Sequence, residues 1–384
     1  MKEFAHRSSG SWRYGWRFLP LLLLAFVCTA CQAQESAPAA SVDPGFGQLV
    51  AQLSEPGGYF DTDNLISNES SYLHVIGGLE KHGVEGGAYI GVGPDQNYSY
   101  IAHTAPSIAF LIDIRRDNLL LHLLFKALFV EAPDRATYLA LLFGRPLPEA
   151  GSMDAATAAE LASHIESLPP ISDAEARIEK MARRAASFGV AITDEELERM
   201  AGFYREFIES GIDLRFRSHN RSPQPYYPTY RRLMLEQDLE GRQSNYLAQE
   251  EWYQVVRTLH LENRIIPVVG DLSGEHALRA IGDYLRDIGE EVTLVYTSNV
   301  EFYLMYDRRF EDYMANVAHL PHSDEGVLVR SFFNRFRMNH PQTRPGYAST
   351  QLMQSLDSFV EQYQAGGGYN SYFDLVTKHV IDLP

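Results

Sequence analysis

The stretch Gly86-Gly-Ala-Tyr-Ile-Gly-Val-Gly-Pro-Asp-Gln-Asn97 constrains the fold more than any other part of the chain. It is a short apolar run ending in closely spaced glycines. A second apolar run, Ser107-Ile-Ala-Phe-Leu-Ile-Asp113, ends on a carboxylate 20 residues beyond Gly93. A strand, a glycine turn, a helix and a second strand need about that much chain. In a nucleotide-binding βαβ unit the acid closing the second strand meets a ribose hydroxyl pair.

The same alternation recurs further along the chain, after an interruption. Asp117-Asn118 opens an apolar helix, Leu119 to Phe129. From 131 to 261 the apolar spacing is helical, in Ala155–Leu168, Asp173–Phe188, Asp194–Ser210 and Gln249–Leu261. Apolar runs then return at Arg264–Asp271, Glu291–Thr297 and Glu325–Phe332, separated by helical patterns over Glu275–Ile288 and Val300–Met314, with a last helix expected over Thr350–Gln364. Strand and helix in turn give an α/β fold, a doubly wound and mostly parallel sheet, with a large helical insertion between its second and third strands. Residues 46–130 are then an N-terminal lid and the first half of the domain, 131–261 the insertion and 262–384 the second half. Within the insertion, Arg215 to Arg232 is basic and aromatic, and reads either as a pocket lining or as a loop packed by its own tyrosines and prolines.

The front of the chain has a different character. Arg7, Arg13 and Arg17 precede the apolar run Phe18–Val27 and the small residues around Cys28-Thr-Ala-Cys31. That order reads as an export signal over 1–31, followed by an Ala/Ser/Pro-rich tether over 32–45. Cys31 fits the lipidated cysteine of a bacterial lipoprotein signal; cleavage after Ala33 and an uncleaved anchor are the alternatives. The expected location is the periplasm or the membrane surface, with membrane contact only through a lipid on Cys31. Both cysteines lie in this segment, so the folded part has no internal disulfide. The formal charge of −17 excludes general affinity for nucleic acid, which needs a basic surface. A small-molecule ligand is the expected partner.

In an open sheet of this kind ligands lie beyond the carboxyl ends of the strands, where strand order reverses. Gly91 and Gly93, Asp113, Asp271 and Ser298-Asn299 stand at four successive ends. Before them, Asp61, Asp63, Asn64, Ser67, Asn68 and Glu69 are crowded into nine residues. This segment reads as a lid over the cleft or as a solvated loop with Ser67, Ser70 or Ser71 capping a helix that begins near Tyr72.

This set of strand ends resembles the class I S-adenosylmethionine-dependent methyltransferase fold, over about 85–130 and 262–335. The resemblance implies a Rossmann-like domain, S-adenosyl-L-methionine as cofactor and methyl transfer as activity. Gly91 and Gly93 would flank the methionyl part, Asp113 would hold the ribose and Asp271 the adenine, with Asp95 also counted among the cofactor-binding residues. Asn299, Asn68, Glu69 and Tyr72 would orient the methyl acceptor. The pairing of Asp63-Asn-Leu-Ile-Ser-Asn-Glu69 with Gly91-Val-Gly-Pro-Asp-Gln96 also resembles an uncharacterised bacterial family that carries no activity with it.

The chain departs from the methyltransferase pattern at Gly91, where an acid is usual, and at Pro94-Asp95, where small residues are usual. Gln96 replaces the glycine that a dinucleotide turn wants. Export would also part the protein from a cytoplasmic methyl donor, so a non-catalytic binding or accessory lipoprotein is a second reading. A hydrolase using Asp63, Glu69 or Asp271 is a third, with no nucleophile–base pair visible in the sequence. His319-Leu-Pro-His322 with Asp324 and Glu325 has metal-ligand residue types, but Pro321 prevents a helical two-histidine face, and no metal site is expected.

Overall fold

Six strands make one sheet in the computed structural model, which describes residues 44–149, 151–219, 222–334 and 340–384. They are β1 (Ala88–Gly91), β2 (Ile108–Asp113), β3 (Ile265–Val269), β4 (Val292–Tyr296), β5 (His322–Phe333) and β6 (Ser349–Ser355). Their order is β3-β2-β1-β4-β5-β6, with β1 to β5 parallel and β6 antiparallel to β5. Every residue of β1, β3 and β4 is buried, as expected of parallel strands covered on both faces. The fold is α/β and compatible with a Rossmann-like architecture.

The order places β1 between β2 and β4, so chain direction across the sheet reverses there. Right-handed crossovers then put the helices of the two halves on opposite faces and open a crevice at the C-terminal ends of β1 and β4. The helix Arg116–Glu131 packs on β2 and β3, and its interior from Asn118 to Val130 is entirely buried. Between β2 and β3 the described chain goes on through helices Arg135–Leu142, Ala158–Ser167, Ala174–Ala186, Asp194–Ser210, Tyr230–Met234 and Glu250–Leu261. Two of these start on a Thr-x-x-Glu capping box, Thr157 with Glu160 and Thr193 with Glu196, which satisfies otherwise orphaned N–H groups.

Three expectations about elements are corrected. Thr350–Gln364 is not one helix: Ser349–Ser355 is strand β6, and the helix covers only Leu356–Gln364. The spacing of Leu352, Met353 and Leu356 suits a helix, but both faces of the segment are buried against β5 and polar partners, so no strand-like alternation shows. The segment Val300–Met314 is broken into helices Val300–Tyr306 and Phe310–Ala318 by Arg308, whose φ is +61°. No serine caps the helix after the lid. A 3-10 turn, Tyr72–Val75, leads into Ile76–His82, and the Ser71 hydroxyl bonds that of Ser349 at 2.7 Å instead.

The export signal, Cys31 and the tether up to residue 43 lie outside the described residues. Among the described residues no helix is long and apolar enough to cross a membrane.

Candidate functional site

A cavity of about 450 Å³ lies at the C-terminal ends of β1 to β4. That is within the ~300–1,000 Å³ of small-molecule sites. Its floor begins with the turn after β1, where Val92, Gly93, Pro94 and Gln96 line the wall. Gly93 has φ +88°, a conformation that favours glycine, and a Cβ there would also displace the Gln96 amide, 2.8 Å away. Asn97 ties the loop together: its Nδ2 donates to the carbonyls of Val92 (3.0 Å), Gly93 (3.1 Å) and Pro94 (2.6 Å), while its Oδ1 accepts from the Tyr89 hydroxyl at 2.6 Å.

His122 supports the turn from beneath. Its Nε2 is 2.9 Å from the Gly93 carbonyl and its Nδ1 is 2.9 Å from the Tyr98 hydroxyl. A carbonyl can only accept, so Nε2 carries the proton and the tyrosine donates to Nδ1. Burial lowers this imidazole to about 4, which keeps it neutral and the arrangement intact near pH 7.

Asp113 closes β2 on the next side. Its Oδ1 accepts from the Arg115 backbone N–H at 2.8 Å and lies 3.3 Å from that residue's Nε; its Oδ2 has only a 3.4 Å contact with Nη2. Arg115 also reaches over the cleft, donating from Nη1 to the carbonyls of Thr62 and Asp63 at 3.0 Å each. One buried guanidinium therefore fixes both the strand-end acid and the segment at Thr62 and Asp63. Asp271, after β3, is more fully engaged: Oδ1 accepts from the Ser273 N–H (2.9 Å) and hydroxyl (2.8 Å), and Oδ2 from Arg309 at 2.6 Å.

The roof comes from two segments far apart in sequence. Tyr59–Thr62, Asn64, Ser67 and Asn68 supply one, and Phe216, Ser218 and Tyr227 the other. They are joined by a bridge between Thr62 and Ser218 and by the His219 N–H donating to the Asp61 carbonyl at 2.8 Å. Burial raises the Asp63 carboxyl above its ordinary range. Ser298, Asn299, Tyr303 and Leu304 form the β4 side, and Phe60 meets Tyr303 edge to face at 5.0 Å between centroids.

Of the residues singled out from sequence, Gly93, Asp113, Asp271, Asn299 and Asn68 line this cavity together. The other four do not. A Cβ on Gly91 would run into Asn97 and the Tyr89 ring, so that glycine serves packing below the turn. Asp95 faces away, into a cluster of tyrosines where Tyr246 donates to it at 3.3 Å and burial raises it to about 6. Tyr72 donates to the Leu233 carbonyl at 2.9 Å and accepts from Asn245 at 2.8 Å, a buried structural role. Glu69 is wholly buried behind the wall, where Ser298 Oγ donates to its Oε1 and three donors meet its Oε2: Tyr296 (2.5 Å), Ser331 and Gln351 (3.1 Å).

Sequence reading missed Gln96, Arg115, Tyr303 and Arg309 as site residues, while Ser298, named there with Asn299 at the end of β4, also lines the cavity. The pocket-lining reading of Arg215–Arg232 holds for Phe216, Ser218 and Tyr227. His319 and His322 are bonded to Asp283 (2.8 Å) and Asp357 (3.0 Å), and the described residues contain no group of three histidines, cysteines or acids placed to hold a metal ion.

Comparison with curated proteins gives no match. The model of the family described as Domain of unknown function (DUF7790) matches residues 65–374, which span the lid's end, all six strands and the helices between them. The chain belongs to that family.

Proposed function

We propose that the cavity binds a nucleoside-type small molecule, with S-adenosyl-L-methionine the candidate ligand and methyl transfer the candidate reaction. The observation that carries this reading is the shared wall: a glycine turn, the strand-end acids Asp113 and Asp271, and Asn299 meet around one cavity at the reversal point of the sheet. Asp113 Oδ2, the less engaged oxygen, accepts from the ribose hydroxyls. Asp271 already accepts three hydrogen bonds, so it shapes the adenine side more than it reads the amine. Among the described residues no lysine lines the cavity, and the arginine that does, Arg309, is tied to Asp271, which disfavours a pyrophosphate. Asn68 and Asn299 orient the acceptor; methyl transfer from a sulfonium needs alignment more than acid–base help. The helical insertion between β2 and β3 caps the site through Phe216, Ser218 and Tyr227.

A second reading keeps the ligand and drops the turnover. The leader with Cys31 favours it, since an exported lipoprotein would meet no cytoplasmic methyl donor. Cell fractionation of intact and Cys31→Ala protein separates the two settings. The binding itself is tested by calorimetry with S-adenosylhomocysteine. Saturable binding is expected, and Asp113→Asn weakens it ~10-fold or more, the value of a hydrogen bond to a charged acceptor. A flat titration of folded wild-type protein overturns the reading.

A further inference from the structure

We propose that Ser298, in the wall of this cavity, and Glu69, buried directly behind it, are a nucleophile–base pair, and that the protein cleaves or transfers the acyl group of a small, hydroxyl-bearing ester. The inference does not rest on the adenosyl reading; a nucleoside ester satisfies both, and an ester of another polyhydroxyl alcohol satisfies this one alone.

Three observations converge. Ser298 stands at the C-terminal end of β4, lines the cavity, and has φ +53°. A non-glycine residue in the left-handed region costs ~1–2 kcal/mol, and such strain at a strand end in a cleft points to function. The strain is held by the ladder on both sides, since the Thr297 N–H donates to the Val329 carbonyl at 2.9 Å and the Ser298 carbonyl accepts from the Ser331 N–H at 2.7 Å.

The second observation is how Glu69 is held. Its Oε2 accepts from Tyr296, Ser331 and Gln351, and the Gln351 amide also donates to the Ser331 hydroxyl at 2.7 Å. Its Oε1 accepts from Ser298 alone among the described residues. No arginine, lysine or histidine of the described chain pairs with it. One oxygen is anchored by neutral donors and the other is left to the serine, which is the arrangement of a base oriented by a third group.

The third is the pair of amides beside them. Asn68 precedes Glu69, Asn299 follows Ser298, and both line the cavity. Neither side-chain NH₂ donates to a described protein group. Asn299 Oδ1 lies 3.5 Å from Ser298 Oγ, so in this arrangement Asn68 is the amide available as a donor to an oxyanion forming next to Ser298, and Asn299 joins it on rotation of its amide.

The step balances without a cofactor. Ser298 Oγ gives its proton to Glu69 Oε1 and bonds to the ester carbonyl carbon. The carbon–alkoxy bond then breaks, and the alkoxide leaves with the proton from Glu69. Water completes the cycle in the same way: its proton passes to Glu69, its oxygen takes the acyl carbon, and Ser298 Oγ recovers the proton.

The test is labelling of the full folded chain with an alkyl fluorophosphonate, followed by intact mass and peptide mapping. One adduct per chain on Ser298 is expected, with fluoride released, and none in Ser298→Ala. Glu69→Gln slows labelling ~100-fold, the size of a general-base contribution. Tyr296→Phe, which strips one donor from Oε2 and so makes the carboxylate more basic, speeds labelling several-fold. A purely structural Glu69 predicts no acceleration, and this variant keeps the test decisive if Glu69→Gln does not fold. No adduct on folded wild type, an adduct elsewhere, or Tyr296→Phe labelled no faster than wild type overturns the proposal. Labelling of Ser298 in a protein that ignores S-adenosylhomocysteine leaves the pair standing and removes the adenosyl reading; binding without labelling does the reverse.

Discussion

The two sides of the cavity handle their carboxylates differently. After β2 and β3, Asp113 and Asp271 each meet an arginine, Arg115 and Arg309. Behind β4, Glu69 meets three hydroxyls and an amide. An arginine partner fixes a carboxylate as an anion and an acceptor, which suits a group that holds a ligand. Neutral donors fix its position without a countercharge and leave Oε1 facing Ser298. The first side holds its acids with charge and the second with hydrogen bonds alone.

The severest test of this contrast uses an arginine-paired acid on the second side. Arg330 of β5 is next to Ser331 and forms a buried ion pair with Glu301, Nε to Oε2 at 2.5 Å, with Gln354 accepting from Nη1 at 2.9 Å. Both side chains are 1% exposed. Arg330→Ala strands a buried anion and should cost ~3–5 kcal/mol in urea denaturation. Glu69→Gln leaves an amide among neutral donors and should cost less, ~1–3 kcal/mol. If Glu69→Gln proves the more damaging, Glu69 depends on a countercharge and the contrast is wrong.

The first side was the more legible in sequence, for a physical reason. A glycine turn and an acid closing a strand are local patterns, and Gly93, Asp113 and Asp271 could be placed from one βαβ unit and its repeat. The second side is assembled from residues with no local signature. Glu69 meets Ser298, Ser331 and Gln351 only once β4, β5 and β6 are adjacent, and β6 itself was hidden because Gln351 and Gln354 are buried polar residues in a strand that should alternate. Asp95 and Tyr72 carried the right chemistry for a site, but chain direction turned them inward, and Glu69 reaches the cavity only through Ser298. Arg115 was invisible because its role is to bridge Asp113 to carbonyls more than 50 residues earlier.

On the first side, a pH series is the next test. His122 holds the Gly93 carbonyl as a neutral donor, and burial puts its folded-state value at about 4, below the ~6.5 of an unfolded histidine. Between those values the unfolded chain binds a proton that the folded chain refuses, so stability is lost as pH falls from about 6.5 toward 4. By pH 5 this amounts to ~2 kcal/mol for His122. His74, also lowered to about 4 by burial, adds in the same sense, while Asp95, raised to about 6, opposes it. His122→Gln keeps a donor for Gly93 without titrating, so its loss between pH 7 and pH 5, measured by urea denaturation, should be smaller than the wild type's by about that ~2 kcal/mol. Equal losses would mean that the turn is not held by a neutral imidazole.

The smallest effect bears on the second side. Ser298→Ala and Ser298→Gly both remove the hydroxyl that donates to Glu69, so they lose the same hydrogen bond and differ only in the backbone and one methyl group. At φ +53° alanine keeps the strain and glycine does not. Ser298→Gly should therefore be the more stable of the two by about 1 kcal/mol, in reverse of the usual order for a position with φ below zero. Differential scanning of the two variants reads this as a gap of about one to two degrees, given the size of the chain. If alanine is equal or better, the backbone at residue 298 is not strained in solution, and strain no longer marks Ser298 as a functional residue. If glycine is better, the position favours a residue other than the one it has, and the hydroxyl facing Glu69 is the property that sets serine apart.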